Sequence, residues 1–346
     1  MNFFIFRLPG HSNIYHGFCA DVKHGLDDGF IFSRYGESNC IFSIPFVNTP
    51  VDYDLINKWV MENDTEYFKS NGALPLSTPK DSHFELINNC IGEISRLESD
   101  SGVKAKIIAS RIFNIPTDAS ATEIFDRLCT RYPDAAVFLF STSDFGTWIG
   151  ATPEVILERD GNSLHSVALA GTRPAACIDS PWDKKNIDEQ SIVTSFIQNI
   201  FLRSNLKPEI TGPYTKRCGP VIHLETKIST VMDKVPDENI SSERDLFTSL
   251  LSTLAPTPAI SGFPRKEAMD FIEKNELHSR QCYGGMVGIY SADNSLHTYA
   301  TLRCGHYSAY EKRISLYAGG GITHDSDPTS EWEETEIKLS TVASLI

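Results

Sequence analysis

The sequence predicts an α+β protein built on a largely antiparallel sheet. Two observations lead there. From residue 104 onward, short apolar segments rich in β-branched and aromatic residues alternate with stretches of helical spacing. Several of those apolar segments also follow one another directly across short turns. Strands joined that way pair antiparallel, whereas a doubly wound parallel sheet needs a crossover helix between neighbours. With 346 residues, 41% of them hydrophobic, the chain has enough apolar surface for one large unit or two domains.

Each element can be justified in turn. Gly29-Phe30-Ile31-Phe32 and Cys40-Ile41-Phe42-Ser43-Ile44-Pro45-Phe46 are apolar runs bounded by polar turns and read as strands. Over 83–97, Phe84, Ile87, Cys90, Ile91, Ile94 and Leu97 recur at helical spacing, an amphipathic helix with one buried stripe. Residues 63–82 lack such a period and are the loop candidate. Lys104 to Ser110 reads as a strand. Ser120-Ala-Thr-Glu123 is a capping box, so a helix carrying Ile124, Leu128 and Cys129 begins there. Strands follow at 135–141, 147–151 and 164–170, then a helix from about 184 to 202. The last third predicts a helix near 264–276 and strands at 284–290, 297–304 and 312–318. A second capping box, Ser330-Glu-Trp-Glu333, opens the final helix.

Composition narrows the function. The formal charge of −14, from 45 acidic against 31 basic side chains, repels phosphate backbones and anionic lipids. No nucleic-acid or membrane partner is therefore expected. An anionic small molecule would need a local positive site, built from clustered Arg and Lys, a metal ion or converging amides. The eight cysteines are scattered without a C-x-x-C pair, which argues against zinc. The run Met1-Asn2-Phe3-Phe4-Ile5-Phe6-Arg7-Leu8 is too short for an export signal, and no apolar stretch approaches the roughly 20 residues of a membrane span. The expectation is a cytoplasmic protein without a disulfide framework.

The most informative segment is Glu331-Trp-Glu-Glu334-Thr-Glu-Ile-Lys338. Its Glu331, Glu334 and Lys338 stand at i, i+3 and i+7 and project from one helical face. Alone this is an ordinary solvated face. It follows Tyr317-Ala-Gly-Gly-Gly-Ile-Thr323, which reads as a glycine-rich turn after a strand, where bare amides can approach a carboxylate. A further carboxylate, Glu189, lies on the helix Lys185-Asn-Ile-Asp-Glu189-Gln-Ser-Ile-Val193, whose Ile187, Ile192, Val193 and Ile197 are expected to bury elsewhere. Glutamates from two helices meeting in a pocket would suit a hard cation such as Mg²⁺.

Lys106 lies among Ala105, Ile107, Ile108 and Ala109, and alternation puts it on the side of Lys104. A lysine buried there would be desolvated and so a candidate general base; one facing water would be ordinary surface charge. Glu154, in Gly150-Ala-Thr-Pro-Glu-Val-Ile-Leu157, is by default a surface carboxylate and, if buried, a protonated general acid. Arg303, read on the strand Thr298–Cys304, and Tyr283 could grip a carboxylate. His223, in His-Leu-Glu-Thr226, reads alone as structural.

In this order the segments resemble the chorismate-utilising enzymes: isochorismate, salicylate, anthranilate and aminodeoxychorismate synthases. The motifs are Gly150-Ala-Thr-Pro-Glu154, Ala168-Leu-Ala-Gly-Thr-Arg-Pro174, His223-Leu-Glu-Thr226, Pro256-Thr-Pro-Ala-Ile-Ser-Gly-Phe-Pro-Arg265, Tyr283-Gly-Gly-Met-Val-Gly288, Tyr317-Ala-Gly-Gly-Gly-Ile322 and Glu331-Trp-Glu-Glu-Thr335. They span about 104–345. The division implied is a variable region, 1–103, packed on a catalytic core, 104–346.

The resemblance implies a large antiparallel β-sandwich with outer helices around a buried pocket. It implies Mg²⁺ as cofactor, held by Glu189 and Glu334 with Glu331 contributing directly or through water. Chorismate would be anchored by Tyr283, Arg303, Gly319 and Lys338, with Gly171, Thr172, His223 and Thr257 lining the pocket. Lys106 aligns with the lysine that activates water in isochorismate and salicylate synthases. Ala170 stands where aminodeoxychorismate synthases carry a nucleophilic lysine. The resemblance thus favours an isochorismate synthase, with Lys106 as base and Glu154 as acid, serving either menaquinone or siderophore synthesis. A salicylate synthase, an aminating subunit and an inactive chorismate-binding module are the alternatives. Asn186 and Gly320 depart from a frequent aspartate and a usual alanine, and Thr172-Arg173 also occurs in salicylate and anthranilate enzymes. A monomer or weak homodimer is expected.

Overall fold

The computed structural model describes residues 1–218, 221–232, 240–291, 293 and 295–346, and shows two antiparallel sheets with helices on their outer faces. The eight-stranded sheet runs in space through Gly262–Phe263, Lys106–Pro116, Arg313–Ile322, Cys304–Ser308, Gly146–Thr152, Ala136–Thr142, Asn2–Arg7 and Ile14–Cys19. The nine-stranded sheet runs through Glu209–Cys218, Val221–Val231, Ser163–Pro174, Val155–Asp160, Leu296–Ala300, Met286–Tyr290, Gly29–Ser33, Phe42–Ile44 and Lys23–His24. The expected α+β architecture is present.

The sheets pack through an aromatic layer. Phe4, Phe6, Phe138, Phe140 and Tyr317 from the first sheet meet Phe30, Phe32 and Tyr299 from the second. Phe4 stacks on Phe30 with ring centroids 4.8 Å apart, and Phe32 lies 4.8 Å from Phe140. Rings of this size bury large apolar area and add packing energy beyond it. Residues 1–103 take part directly, since Asn2–Arg7 pairs with Ala136–Thr142 inside the eight-stranded sheet and Gly29–Ser33 pairs with Met286–Tyr290 in the other.

Seven α-helices cover the outer faces among the described residues: α1 (Tyr53–Asn71), α2 (Lys80–Ser101), α3 (Ala121–Arg131), α4 (Lys184–Arg203), α5 (Glu243–Leu254), α6 (Arg265–Asn275) and α7 (Pro328–Ala343). α1, α3 and α7 bury Ile56, Val60, Phe125, Leu128 and Leu339 on the eight-stranded sheet. α4 and α5 bury Val193, Ile197, Phe247 and Leu251 on the nine-stranded one.

Four sequence expectations need correction. The loop candidate 63–82 is mostly helix, and only 72–79 connects α1 to α2. The buried positions of α1 include the polar Asn63 and Asp64, which hides the apolar period; Asp64 accepts from the amides of Ala309 and Tyr310. α7 starts at Asp327-Pro328, not at the Ser330 capping box: the Asp327 carboxylate accepts from Ser330 N at 2.9 Å, and proline suits the first turn. The glycine-rich segment 317–322 is strand, not turn, with Gly319, Gly320 and Gly321 paired to Ser110, Ala109 and Ile108; past Tyr317 the described residues give it no strand on its other side, so alternate amides face away from the ladder. Ile187 on α4 is 48% exposed instead of buried.

Candidate active site

The candidate site forms where the chain crosses between the sheets. Gly146–Thr152 and Val155–Asp160 lie in different sheets, and Pro153-Glu154 makes the crossing. Leu296–Ala300 and Cys304–Ser308 cross back through Thr301, Leu302 and Arg303. Arg303 is therefore in a crossing, not on a strand, with φ +48°. The two crossings brace each other, Ala300 N donating to Glu154 O at 2.9 Å and Ala151 N to Arg303 O at 3.1 Å. A third irregularity faces them, a bulge between Ala170 and Arg173 where Gly171 takes φ +70°. Bulges of this kind re-aim side chains next to active sites.

These features enclose a cavity of about 70 Å³. Nine of the expected site residues line it: Glu154, Gly171, Thr172, Glu189, His223, Tyr283, Arg303, Gly319 and Lys338. Thr257, also expected there, stands behind the wall with its hydroxyl beside Glu154. Lys106 and Glu334 stand one layer out, each through a lining partner. Lys106, with 0% of its side chain exposed, donates to Glu189 Oε1 at 2.6 Å. Lys338 donates to Glu334 Oε1 at 2.6 Å and to Gly319 O at 2.8 Å. Lys104, by contrast, is 60% exposed and pairs with Asp188 outside the cavity.

Bare backbone makes this crowding possible. A Cβ on Gly321 would lie 2.7 Å from both Glu189 Oε1 and Lys106 Cε, and one on Gly319 would lie 3.0 Å from the Tyr283 hydroxyl. Side chains at either position would fill the space that the charged groups occupy.

Burial sets the protonation states. Desolvation pushes the Glu154 carboxyl up to about 7, against the pull of the Lys106, Lys338 and Arg303 charges. Desolvation also lowers His223 to about 3, helped by the Arg303 and Lys338 charges, so its imidazole is neutral. Its Nδ1 lies 2.8 Å from Gly171 O, an acceptor only, so Nδ1 carries the proton. Nε2 is then free to accept from Arg303 Nη2 at 3.2 Å. Thr341 Oγ1 takes the other arm of the guanidinium at 3.0 Å. His223 thus positions Arg303, a role not visible in sequence. Among the described residues no carboxylate lies within ion-pair distance of this half-buried guanidinium, which suits it to hold a ligand anion.

Glu189, Glu331 and Glu334 border one recess beside the cavity. Each carries a lysine: Lys106 on Glu189, Lys338 on Glu334, and Lys185 on Glu331 Oε1 at 2.6 Å. Burial would raise Glu189, but the Lys106 charge and hydrogen bond, with Lys185 and Lys338, bring it below its ordinary value. Burial raises Glu331, whose Oε2 is buried without a hydrogen-bond partner. Among the described residues no three such side chains stand together in metal-ligating geometry as they are. The donor set nevertheless fits a hard divalent cation: three carboxylates on one recess, one of them with an orphaned oxygen, once their lysines give way. Lys185 was missed as a member of this group, although it lies one helical turn before Glu189. Tyr317 was missed as well; it stacks on Tyr283 with centroids 5.3 Å apart and lines the cavity.

Two antiparallel sheets, with the chain crossing between them beside a cavity lined by Arg303, Lys338, Glu154 and Glu189, are the frame of this fold. The chain belongs to the chorismate binding enzyme family, whose model matches residues 77–346. It is 29% identical over 252 residues to the isochorismate synthase EntC of Escherichia coli K12, covering 69% of this chain and 62% of that protein. It is 26% identical over 301 residues to anthranilate synthase component 1 of Neisseria meningitidis, covering 82% and 59%. Its fold matches that of MenF, the menaquinone-specific isochorismate synthase of Escherichia coli, with TM-score 0.75, 20% identity, and coverage of 100% of this chain and 88% of that one. The chain spans about three fifths of the length of these two curated relatives.

Proposed function

We propose that this protein is a Mg²⁺-dependent isochorismate synthase. The observation that carries the reading is the pairing of two buried groups beside one cavity: Glu154, held protonated up to about pH 7, and Lys106, reaching in through Glu189. The distinction from ammonia-using relatives rests on Lys106 being buried at the site and on Ala170 lining it where a nucleophilic lysine would otherwise stand.

In this reading Arg303 and Tyr283 hold the enolpyruvyl carboxylate of chorismate, and Lys338 with the Glu189–Glu334 side faces the ring carboxylate. Bound Mg²⁺ supplies charge that fixes the ring carboxylate and offsets the acidic cluster. Lys106, separated from Glu189 and deprotonated, removes a proton from water as its oxygen attacks C2. Glu154 gives its proton to the departing C4 hydroxyl, and the ring double bonds shift between the two carbons. One water enters and one leaves, so the net change is an isomerisation. The walls exclude bulk water, which strengthens each charge interaction inside.

Incubation of purified protein with chorismate and Mg²⁺, with chromatographic identification of the products, tests this. Isochorismate is expected as the main product at neutral pH. Stoichiometric salicylate and pyruvate without an isochorismate lag would replace the reading with a salicylate synthase. Anthranilate formed only with ammonia would replace it with an aminating subunit.

A further inference from the structure

The inner cavity, at about 70 Å³, is well below the roughly 300 Å³ at which ligand pockets begin. A ring bearing two carboxylate-carrying arms must therefore reach it across a wall that yields. Two larger recesses share walls with the cavity, and they are opposite in charge. The recess that shares Thr172, Glu189 and Gly321 has five acidic lining side chains, Asp183, Glu189, Glu331, Glu333 and Glu334, against Arg173 and Lys185. The other, about 720 Å³, shares Pro153 and Arg303. Its lining includes Arg131, Lys216, Arg217 and Arg303, with Asp134 as the one acid among the described residues.

A four-to-one basic excess is unusual on a chain with 45 acidic and 31 basic residues. It is assembled from three separate elements: the end of α3, the edge strand Glu209–Cys218, and the Arg303 crossing. Lys216 is paired with Glu225, so its field is partly offset. Arg131 is exposed, and its guanidinium lies 5.6 Å over the Tyr132 ring with no carboxylate partner among the described residues. At the floor stands Arg303, half-buried and without a carboxylate partner among the described residues, lining the recess and the cavity at once. The basic side chains thus lead inward to the guanidinium suited to a carboxylate.

We infer that this basic recess is the doorway through which the anionic substrate approaches, with Arg131 and Arg217 capturing its carboxylate before Arg303 takes it. The inference rests on the proposed reading of the cavity as a chorismate site. Elsewhere the acidic surface repels a dianion, so a basic mouth focuses it and raises the productive encounter rate.

The test compares wild type with Arg131→Glu/Arg217→Glu and with a matched control, Lys58→Glu/Lys266→Glu, at positions 70% and 86% exposed on α1 and α6. Both variants change net charge equally. Steady-state kinetics with chorismate at two ionic strengths, and stopped-flow fluorescence of chorismate binding, supply the readouts. At low salt the recess variant is expected to lose about tenfold in kcat/KM and in the association rate, with kcat and the Mg²⁺ titration midpoint retained. That loss should shrink at high salt, and the control should behave as wild type. Arg131→Gln/Arg217→Gln should lose less than the charge reversal, which guards against a folding defect as the cause. A recess variant with wild-type association rates at low salt, or a control that loses as much, would overturn the doorway while leaving the proposed function standing. Wild type that neither binds nor converts chorismate would overturn both.

Discussion

Two buried ion pairs flank the same strand, Lys106–Pro116, and they are built in opposite ways. Behind the cavity, Arg280 grips Glu276 with two arms, Nε at 2.8 Å and Nη2 at 2.6 Å, and donates two further hydrogens to Ile260 O and Ile108 O. Glu276 also accepts from Ser110 N and Ser110 Oγ at 2.8 Å, and Tyr35 covers the guanidinium at 4.5 Å. Among the described residues the Lys106 side chain, at the start of the strand, has one hydrogen-bond partner, Glu189 Oε1, and that partner lines a cavity. The first pair borders an outer recess, but its groups are tied to partners on several sides and hold the end of α6 to the strand. The second is left half-made beside a space, as expected of groups that must exchange partners during a reaction. On the proposed reading, burial alone does not separate structural from functional charges; satisfaction does.

The sharpest way to break this contrast is Lys106→Ala. Activity is expected to fall by about 10²–10⁴, the usual cost of removing a general base, while the melting temperature stays near wild type. Near-wild-type turnover would remove Lys106 from the chemistry. Arg280→Met should show the converse, a loss of about 3–5 kcal/mol in urea unfolding, because it strands Glu276 as a buried unpaired charge. If the fold kept its stability but catalysis disappeared, the two pairs would not be different in kind.

Smaller effects sharpen the open side. Glu189→Gln and Glu334→Gln should each shift the Mg²⁺ activation midpoint upward by at least about tenfold, the lower end of what disturbing even an outer partner of a metal ligand costs. Both variants titrating as wild type would mean that the metal site is misplaced. Glu154 makes a pH prediction. As a general acid it must be protonated, so activity should hold below about pH 7 and fall about tenfold per unit well above it. The same raised group links to stability. The folded state keeps a proton that the unfolded chain releases near 4.5, so this contribution is full below that pH and fades as pH rises through about 7. A kcat/KM profile flat from pH 6 to 9 would exclude Glu154 as the acid.

Much of this was legible from residue order. Periodicity and turn chemistry act within a few residues, so the Ser120 capping box, the α4 helix and the paired strands could be read locally. Thirteen site residues followed from motif resemblance, and the fold brings nine of them to one cavity wall. What local pattern could not show was any feature decided by partners distant in the chain. α1 was hidden because Asn63 and Asp64 are buried polar groups, satisfied by Met1, Ser141, Thr147, Ala309 and Tyr310. The antiparallel pair Glu209–Cys218 and Val221–Val231 and the helix α5 went unread, although Leu246, Phe247, Leu250, Leu251 and Leu254 of α5 stand at helical spacing.

By itself the sequence determined the element types, the acidic balance that demands a local cationic site, and which charged residues were worth watching. Only the tertiary structure decided their roles. Lys104 and Lys106 are two residues apart, yet one is solvated on Asp188 and the other is enclosed against Glu189. His223 acquires a fixed tautomer because Gly171 O and Arg303 sit on its two nitrogens. Glu154 and Arg303, 149 positions apart, share one wall because two sheet crossings hydrogen-bond to each other. Charge and protonation depend on what surrounds a group in space, and in this protein those surroundings come from strands that the chain order keeps far apart.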